Sequence, residues 1–457
     1  MTTGNIITLQ IKSLGEDGDG IAQHGRTTVY VSNALPGETV TAIITDTAKT
    51  HAHARLLKVK KPSEYRVKPL CRNVRECGGC QVQEMDYRQQ LSLKRNIIIN
   101  NLDSAHVATE TPVAAAIGCK RTTKFRNKAI YPISKNADGQ IVAGFFARRS
   151  HQIIPSYECP IGADENMAVT RIVIDHLKRY GIEPYDETQC TGIVRYVMIR
   201  KAFSTGELMV SIVINGNTLP HHNDLTARLL AVVKNIKDIS IVINNDNTNR
   251  IRGTEVATLH GDGYITDTIG DLKFMVSPLS FYQVNTPQTA VLYTKAIDFA
   301  QLTGGETVFD LYCGIGTISL FLARHAKKVY GVETIPQAID DARRNAESNN
   351  IKNVDFIVGK AEEVIPELVE KQGIRADVVV VDPPRKGCDK SLIDTIIKML
   401  PQRIVYVSCE SMSLARDLKI LTDNGFRVKK VQPVDMFPHT VHVETVALIE
   451  HSPSLSD

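Results

Sequence analysis

Several short stretches carry residues that could do chemistry, and most of them follow an apolar run. Val407-Ser408-Cys409-Glu410 sets a thiol just after Arg403–Ser408. Asp310-Leu311-Tyr312-Cys313-Gly314-Ile315-Gly316-Thr317 runs from an apolar stretch into a glycine-containing turn, and Glu333 ends the next apolar stretch twenty-three residues after Asp310. A further run closes on Asp382-Pro383-Pro384-Arg385. Gly314 and Gly316 lack a Cβ, so a bulky cofactor can approach the backbone there. An acid at the position of Glu333 can accept from ribose hydroxyls. Two prolines force an extended exit, which holds the Asp382 carboxylate at the end of its run. Cys409 offers a polarisable nucleophile, although a thiol with its ordinary pKa of about 8.5 is mostly protonated at neutral pH unless its site assists. A packing role for such a cysteine is the competing reading. Cys71, Cys77 and Cys80 crowd together, which in a reducing compartment suggests metal ligation more than disulfides.

These residues need elements to position them. At 457 residues the chain suggests roughly three domains. Residues 1–62 read as short strands, Ile6 to Leu14, Thr28–Ser32 and Thr39–Asp46, broken by Gly15-Glu16-Asp17-Gly18-Asp19-Gly20 and Pro36-Gly37. That pattern suggests a small β-barrel able to hold RNA. Lys49, Arg55, Lys58, Lys60 and Lys61 follow as a basic exit, for which a solvated charged face is an equal reading. Residues 63–270 read as a central α+β domain, with a helix over Asp86–Leu102 and a hairpin of Gly192–Ala202 and Glu207–Asn215. Residues 271–457 alternate regularly. Strands over Glu306–Leu311, Lys328–Glu333, Val354–Val358, Ala376–Asp382 and Arg403–Ser408 are separated by helices over Ile318–His325, Pro336–Asn349, Glu362–Lys371, Leu392–Met399 and Ser413–Asn424. The expectation is an α/β, doubly wound parallel sheet whose ligands bind at the strands' carboxyl ends. Glycine turn, Glu333 and Asp382 at successive strand ends together read as a class I methyltransferase site for S-adenosylmethionine.

Here a family resemblance enters. Phe281-Tyr282-Gln283-Val284-Asn285, Asp310-Leu311-Tyr312-Cys313-Gly314, Asp382-Pro383-Pro384-Arg385, Ser408-Cys409 and His442-Val443-Glu444-Thr445 occur in the order typical of RNA uracil-5-methyltransferases, and the match spans essentially the whole chain. The N-terminal barrel resembles a TRAM domain, an OB-like RNA-binding module. Cys71-x5-Cys77-x2-Cys80 with Cys159 resembles the 4Fe-4S site of the 23S rRNA branch, whereas spacing alone suits zinc as well. Carbon 5 of uracil is a poor nucleophile until something adds at carbon 6. The resemblance implies that Cys409 adds there and that Glu444 removes the carbon-5 proton. It implies a cofactor set of Gln283, Tyr312, Gly314, Glu333 and Asp382, with Gln283 and Asp382 between cofactor and uracil. It implies that Phe281 packs on the flipped base. Arg126 and Lys128, in Phe125-Arg126-Asn127-Lys128, resemble the family's basic segment near the RNA, and a surface ion pair is the alternative for them. Cys119, Cys190, Cys313 and Cys388 are expected to be packing residues. Glu410-Ser411 and Thr317 depart from the common family pattern.

The expected partner is 23S rRNA. A tRNA uracil-5-methyltransferase is the first alternative. Others are an amino-group methyltransferase, which would need neither Cys409 nor Glu444, and an inactive RNA-binding protein of the same fold. The net charge of +4 permits a nucleic-acid partner without demanding one. No run of eighteen apolar residues and no signal-peptide pattern occurs, so no membrane partner and a cytoplasmic location are expected; a monomer is also expected.

Overall fold

The computed structural model describes residues 1–247, 251, 253 and 255–451, so the last six residues of the 271–457 region lie outside the described part. Among the described residues there are three large sheets and a hairpin.

The first sheet has the order β1-β5-β6-β4-β3-β2. Its strands are β1 (Ile6–Gln10), β2 (Ser13–Leu14), β3 (Gly20–His24), β4 (Thr27–Ser32), β5 (Thr39–Thr47) and β6 (His51–Lys61). Alternation turns Leu9, Val29, Val31, Val40 and Ile44 into one apolar core. The stretch expected to be a basic exit is largely strand β6. Its Ala52, Ala54 and Leu56 point inward, while Arg55, Lys58, Lys60 and Lys61 line the outer face. The charges had hidden a period-2 pattern built on small residues.

Helix α1 (Tyr87–Ser104) starts where Asp86 caps the Arg88 N–H. Its Ile98 and Leu102, with Val107 and Val113 beyond it, pack against the C-terminal sheet, and Thr109 and Ile117 bridge to Val428 and Val434 there. This part of the 63–270 region therefore shares a core with the C-terminal sheet. The second sheet, of order β13-β12-β11-β10-β7-β8-β9, contains β7 (Lys128–Lys135), β8 (Ile141–Phe146), β9 (Ile153–Pro155), β10 (Val194–Lys201), β11 (Leu208–Ile214), β12 (Ile236–Ile243) and β13 (Glu255–His260). Helices α2 (Glu165–Tyr180) and α3 (His222–Val232) contribute Val173, Leu177, Leu225 and Leu229 to its core. The hairpin expected over 192–215 is present as β10–β11.

Hairpin β14 (Ile265–Ile269) and β15 (Leu272–Val276) straddles the 270/271 boundary, and Ile269, Phe274 and Val276 belong to the C-terminal core. Helix α4 (Thr286–Ala300) follows. Then come β16 (Thr307–Leu311), α5 (Thr317–Ala323), β17 (Lys328–Glu333), α6 (Pro336–Ser348), β18 (Val354–Val358), α7 (Ala361–Pro366), β19 (Val378–Val381), α8 (Lys390–Met399), β20 (Arg403–Ser408) and α9 (Ser411–Asp423). All the expected strands are there. The helix expected over Glu362–Lys371 changes to a π turn at Glu367–Lys371, where Pro366 offers no N–H to a regular ladder. β21 (Phe426–Val434) and β22 (Glu444–His451) complete the sheet, whose order is β18-β17-β16-β19-β20-β22-β21.

The wholly parallel sheet expected from the alternation needs correcting. Five strands are parallel, but β22 inserts antiparallel beside β20 and β21 pairs antiparallel with β22. No crossover helix separates β21 from β22, so the chain returns by a loop and the strand must run backwards.

Candidate active site

The antiparallel insertion decides where the base-like carboxylate sits. A parallel strand delivers its last residue to the ligand-binding end of the sheet, whereas β22 delivers its first, Glu444. Ser408 pairs with Thr445, so the next positions out, Cys409 and Glu444, emerge side by side. Asp382 leaves the tip of β19 on the other side of β20. Glu444 is 2% exposed, and its Oε2 has no hydrogen-bond partner.

The electrostatics follow from this crowding. Burial, then the charge of Asp382, pushes Glu444 up to about 8, with Arg385 opposing. Burial, then Asp310, raises Asp382 to about 7. Burial, then Glu444 and Asp382, raises the Cys409 thiol to about 12, again against Arg385. Burial and mutual repulsion therefore shift all three groups toward their protonated forms. The bound form of any ligand carrying positive charge would favour proton release. Arg385, quoted from the sequence only as the end of a motif, is the cation that faces both Cys409 and Glu444. Tyr293 of α4, which no sequence pattern singled out, lies under Asp382, Asp310 and Glu444, and these raise its pKa after burial does. Its hydroxyl meets Thr317 Oγ1 at 3.0 Å, so the departure at Thr317 has a partner of its own. The departure at Glu410 caps α9 through the Met412 N–H.

At the glycine turn Tyr312 has φ 66°, a left-handed conformation that is costly for a bulky residue. Gly314 has φ +55° and nothing lies within 4 Å of where its Cβ would stand, which leaves the open cradle a cofactor needs. The Glu333 carboxylate edges this space. Its Oε1 accepts from Thr334 N, Thr334 Oγ1 and Ile335 N, and its Oε2 accepts only a long 3.3 Å bond from Gly314 N. Oε2 thus retains capacity for a ligand hydroxyl. Asp310, buried beneath the turn, accepts from Ser319 through Oδ2 and has an unpartnered Oδ1.

Phe281 and Gln283 lie on the segment that leads into α4. Phe281 is 57% exposed, as a surface for a base would be, and Gln283 is buried. Asn127 donates to Gln283 O (2.8 Å) and Thr286 Oγ1 (3.0 Å), so the Phe125–Lys128 stretch clamps this segment. Arg126 turns inward. Its Nε donates to Lys128 O at 3.0 Å, and burial lowers its pKa while the thiols of Cys159 and Cys80 work against that shift. Its place beside those thiols speaks against the alternative of a surface ion pair. Lys128 starts β7 half-buried.

Cys71, Cys77, Cys80 and Cys159 converge although Cys159 is far away in the chain. Burial raises Cys80 to about 12, and Cys159, Cys77 and Cys71 add to the shift. Burial likewise raises Cys77 and Cys159. All four are free thiols. Among the described residues no group of His, Cys, Asp or Glu is gathered closely enough to stand as a finished metal site. These half-buried thiols lie beside the Arg126 guanidinium. Cys190, expected to pack, is exposed instead. A cleft of about 500 Å³ lies beside the cysteine segment. It is lined by Asp17 and Asp19 of the barrel, Gly78 and Gly79, Arg148 and Arg149 after β8, and His442. Burial and then Arg385 lower the His442 pKa, which places this cleft next to the Cys409 side of the site.

The family model described as tRNA (Uracil-5-)-methyltransferase matches residues 218–452, and that of the TRAM domain matches residues 1–57. The chain belongs to the tRNA (uracil-5-)-methyltransferase family. An uncharacterized RNA methyltransferase of Halalkalibacterium halodurans is 46% identical, over 98% of this chain and 97% of that one. Another from Clostridium tetani is 44% identical, over 97% and 96%. Among solved structures, the tRNA (uracil-54, C5)-methyltransferase of Pyrococcus abyssi in complex with S-adenosyl-L-homocysteine has a TM-score of 0.77 at 26% identity, covering 97% of this chain and 100% of that one. The family, the TRAM domain and the methyltransferase fold thus match what the motifs implied. Among the described residues no helix is long and apolar enough to cross a membrane.

Proposed function

We propose that this chain uses S-adenosylmethionine to methylate carbon 5 of a uridine in 23S rRNA through a covalent bond to Cys409. The observation that carries the reading is the placement of Cys409 and Glu444 beyond the paired ends of β20 and β22. Cys409 gives up its thiol proton to solvent, its Sγ bonds to uracil carbon 6, and the carbon 5–carbon 6 electron pair moves toward oxygen 4 as an enolate. Carbon 5 then forms its new bond to the methyl carbon as that carbon's bond to the donor's sulfonium sulfur breaks, the sulfur keeping the electron pair as the neutral thioether of S-adenosylhomocysteine. Glu444 takes the carbon-5 proton, the electrons left behind restore the double bond, and the Cys409 thiolate is expelled. Arg385 offers positive charge to the thiolate and to the enolate.

Gly314, Tyr312, Glu333, Asp382 and Gln283 would hold the methyl donor, and the open space at Gly314 with the spare capacity of Glu333 Oε2 supports that assignment. When bound, the donor supplies an electrophilic methyl group and a positive charge close to Asp382. Phe281 offers its exposed ring to the flipped base. Cys71, Cys77, Cys80 and Cys159 would hold a 4Fe-4S cluster, which when bound would tie the 71–80 segment to Cys159 as a structural staple. Arg126 would offset its negative charge.

A thiol set of this kind together with a TRAM domain supports an rRNA substrate. A tRNA uridine is the second reading, favoured by the likeness to the tRNA (uracil-54, C5)-methyltransferase of Pyrococcus abyssi. Incubation with labelled S-adenosylmethionine and protein-free transcripts of 23S rRNA or tRNA separates the two. The rRNA reading expects 5-methyluridine in the 23S transcript. Efficient methylation of tRNA alone overturns that substrate and leaves the chemistry standing.

A further inference from the structure

The loop between β21 and β22, residues 435–443, ends on Glu444 and is held almost entirely by residues far away in the chain. At its centre His439 is buried and has φ 71°. A histidine keeps such a left-handed backbone only where surrounding bonds over-determine it. Here they do. The His439 carbonyl accepts two N–H bonds, from Gln81 and Val82, each 3.0 Å, immediately after Cys80. Its own N–H donates to Gln90 Oε1 on α1 at 2.9 Å. Its ring Nε2 meets the Thr122 carbonyl at 3.0 Å, so Nε2 carries the proton, and Gln90 Nε2 faces Nδ1 at 3.5 Å. One neutral tautomer satisfies both contacts.

The same loop is gripped on either side of His439. Asp435 receives Lys94 at 2.5 Å and Tyr87 at 2.7 Å, Lys94 also donates to Phe437 O at 2.9 Å, and Asn285 donates to Met436 O at 3.1 Å. Val441 packs with Val82, Met85 and Leu35. The first turn of β22 therefore inherits its position from the cysteine-bearing segment and from α1.

We propose that His439 is a positioning residue for the proton-abstraction step, coupling the 80–90 segment to the placement of Glu444. The proposal rests on Glu444 being the base in the reading above. Glu444 makes no hydrogen bond through Oε2 that could hold it independently, so its aim depends on where its strand begins.

The test uses the full-length protein and whichever transcript, 23S rRNA or tRNA, the wild type methylates. His439→Asn tolerates the left-handed backbone but loses the Thr122 contact. Gln90→Leu removes the acceptor of the His439 N–H without touching His439, and serves if His439→Asn folds poorly. Both variants are expected to bind S-adenosylmethionine as the wild type does, with KM for RNA within about twofold and kcat lower by about 10- to 100-fold, the range a small misplacement produces. A methyl-labelled protein–RNA adduct should accumulate, because addition and methyl transfer precede the step that fails. A loss confined to KM, or a loss of kcat without adduct, overturns the role of His439. The control is wild type on 5-fluorouridine RNA. If it forms no adduct, the covalent reading itself falls; if it forms one while the variants turn over normally, only the positioning role falls.

Discussion

Cys409 and Glu444 sit opposite one another, one step beyond the Ser408–Thr445 pair that closes the β20–β22 ladder. Directly opposed residues such as Ser408 and Thr445 have Cα atoms about 4.5–5.5 Å apart, so Cys409 and Glu444 leave the ladder from neighbouring points. The Glu444 charge is the largest contributor after burial to the raised Cys409 pKa.

If these two residues divide the reaction as proposed, their variants should fail differently. Cys409→Ala should lower methyl transfer by at least about 10³-fold, as expected when a nucleophile is lost, and should give no RNA adduct on denaturing electrophoresis. Glu444→Gln should add and transfer the methyl group but accumulate a labelled adduct. Full activity in Cys409→Ala rules out covalent catalysis through this residue.

Cys409 should alkylate slowly in the free protein. Burial, Glu444 and Asp382 raise its pKa to about 12, so the iodoacetamide reaction at the Cys409 peptide should keep rising with pH beyond the ordinary thiol range of about 8.5. Removing a negative charge favours the thiolate, so Asp382→Asn should move the profile to lower pH. S-adenosylmethionine should act in the same direction through its positive charge. A profile in Asp382→Asn that coincides with the wild type counts against the electrostatic coupling.

The ion pair between Lys94 and Asp435 is fully buried on both sides. Burial lowers the Lys94 pKa, and Asp435 opposes that shift. Asp435→Ala leaves an uncompensated charge in the core and should cost about 3–5 kcal/mol in chemical denaturation, whereas Lys94→Met combined with Asp435→Leu should cost much less. Equal losses in the single and double variants would show that packing, rather than charge, dominates the site.

Anaerobically purified protein should be brown and contain iron and acid-labile sulfide. Cys77→Ser should lower the iron content and the folding yield, while the protein that does fold should still bind S-adenosylmethionine. Stoichiometric zinc with no visible absorption would replace the iron–sulfur assignment with a zinc one.

Local pattern was enough to expose the alternating strands and helices after residue 300, because buried parallel strands such as Val378–Val381 are runs of β-branched residues and the helices between them are amphipathic. The glycine turn, Asp382 and Cys409 were legible for the same reason, since each ends such a run. The β6 strand was not, because alanines among lysines look like a charged face. The direction of β22 was not legible either. A strand's period is the same whichever way it runs, and only its pairing with β20 and β21 sets Glu444 beside Cys409. Nor did local pattern tie α1 to the C-terminal core, join Cys159 to Cys80, turn Arg126 toward those thiols or clasp His439 to Gln81, Val82 and Gln90. These are contacts between residues up to hundreds of positions apart, made by whichever buried donors and acceptors the packed elements bring within reach. The sequence by itself determined most element types and the candidate reacting groups, and the tertiary structure alone decided which of those groups meet.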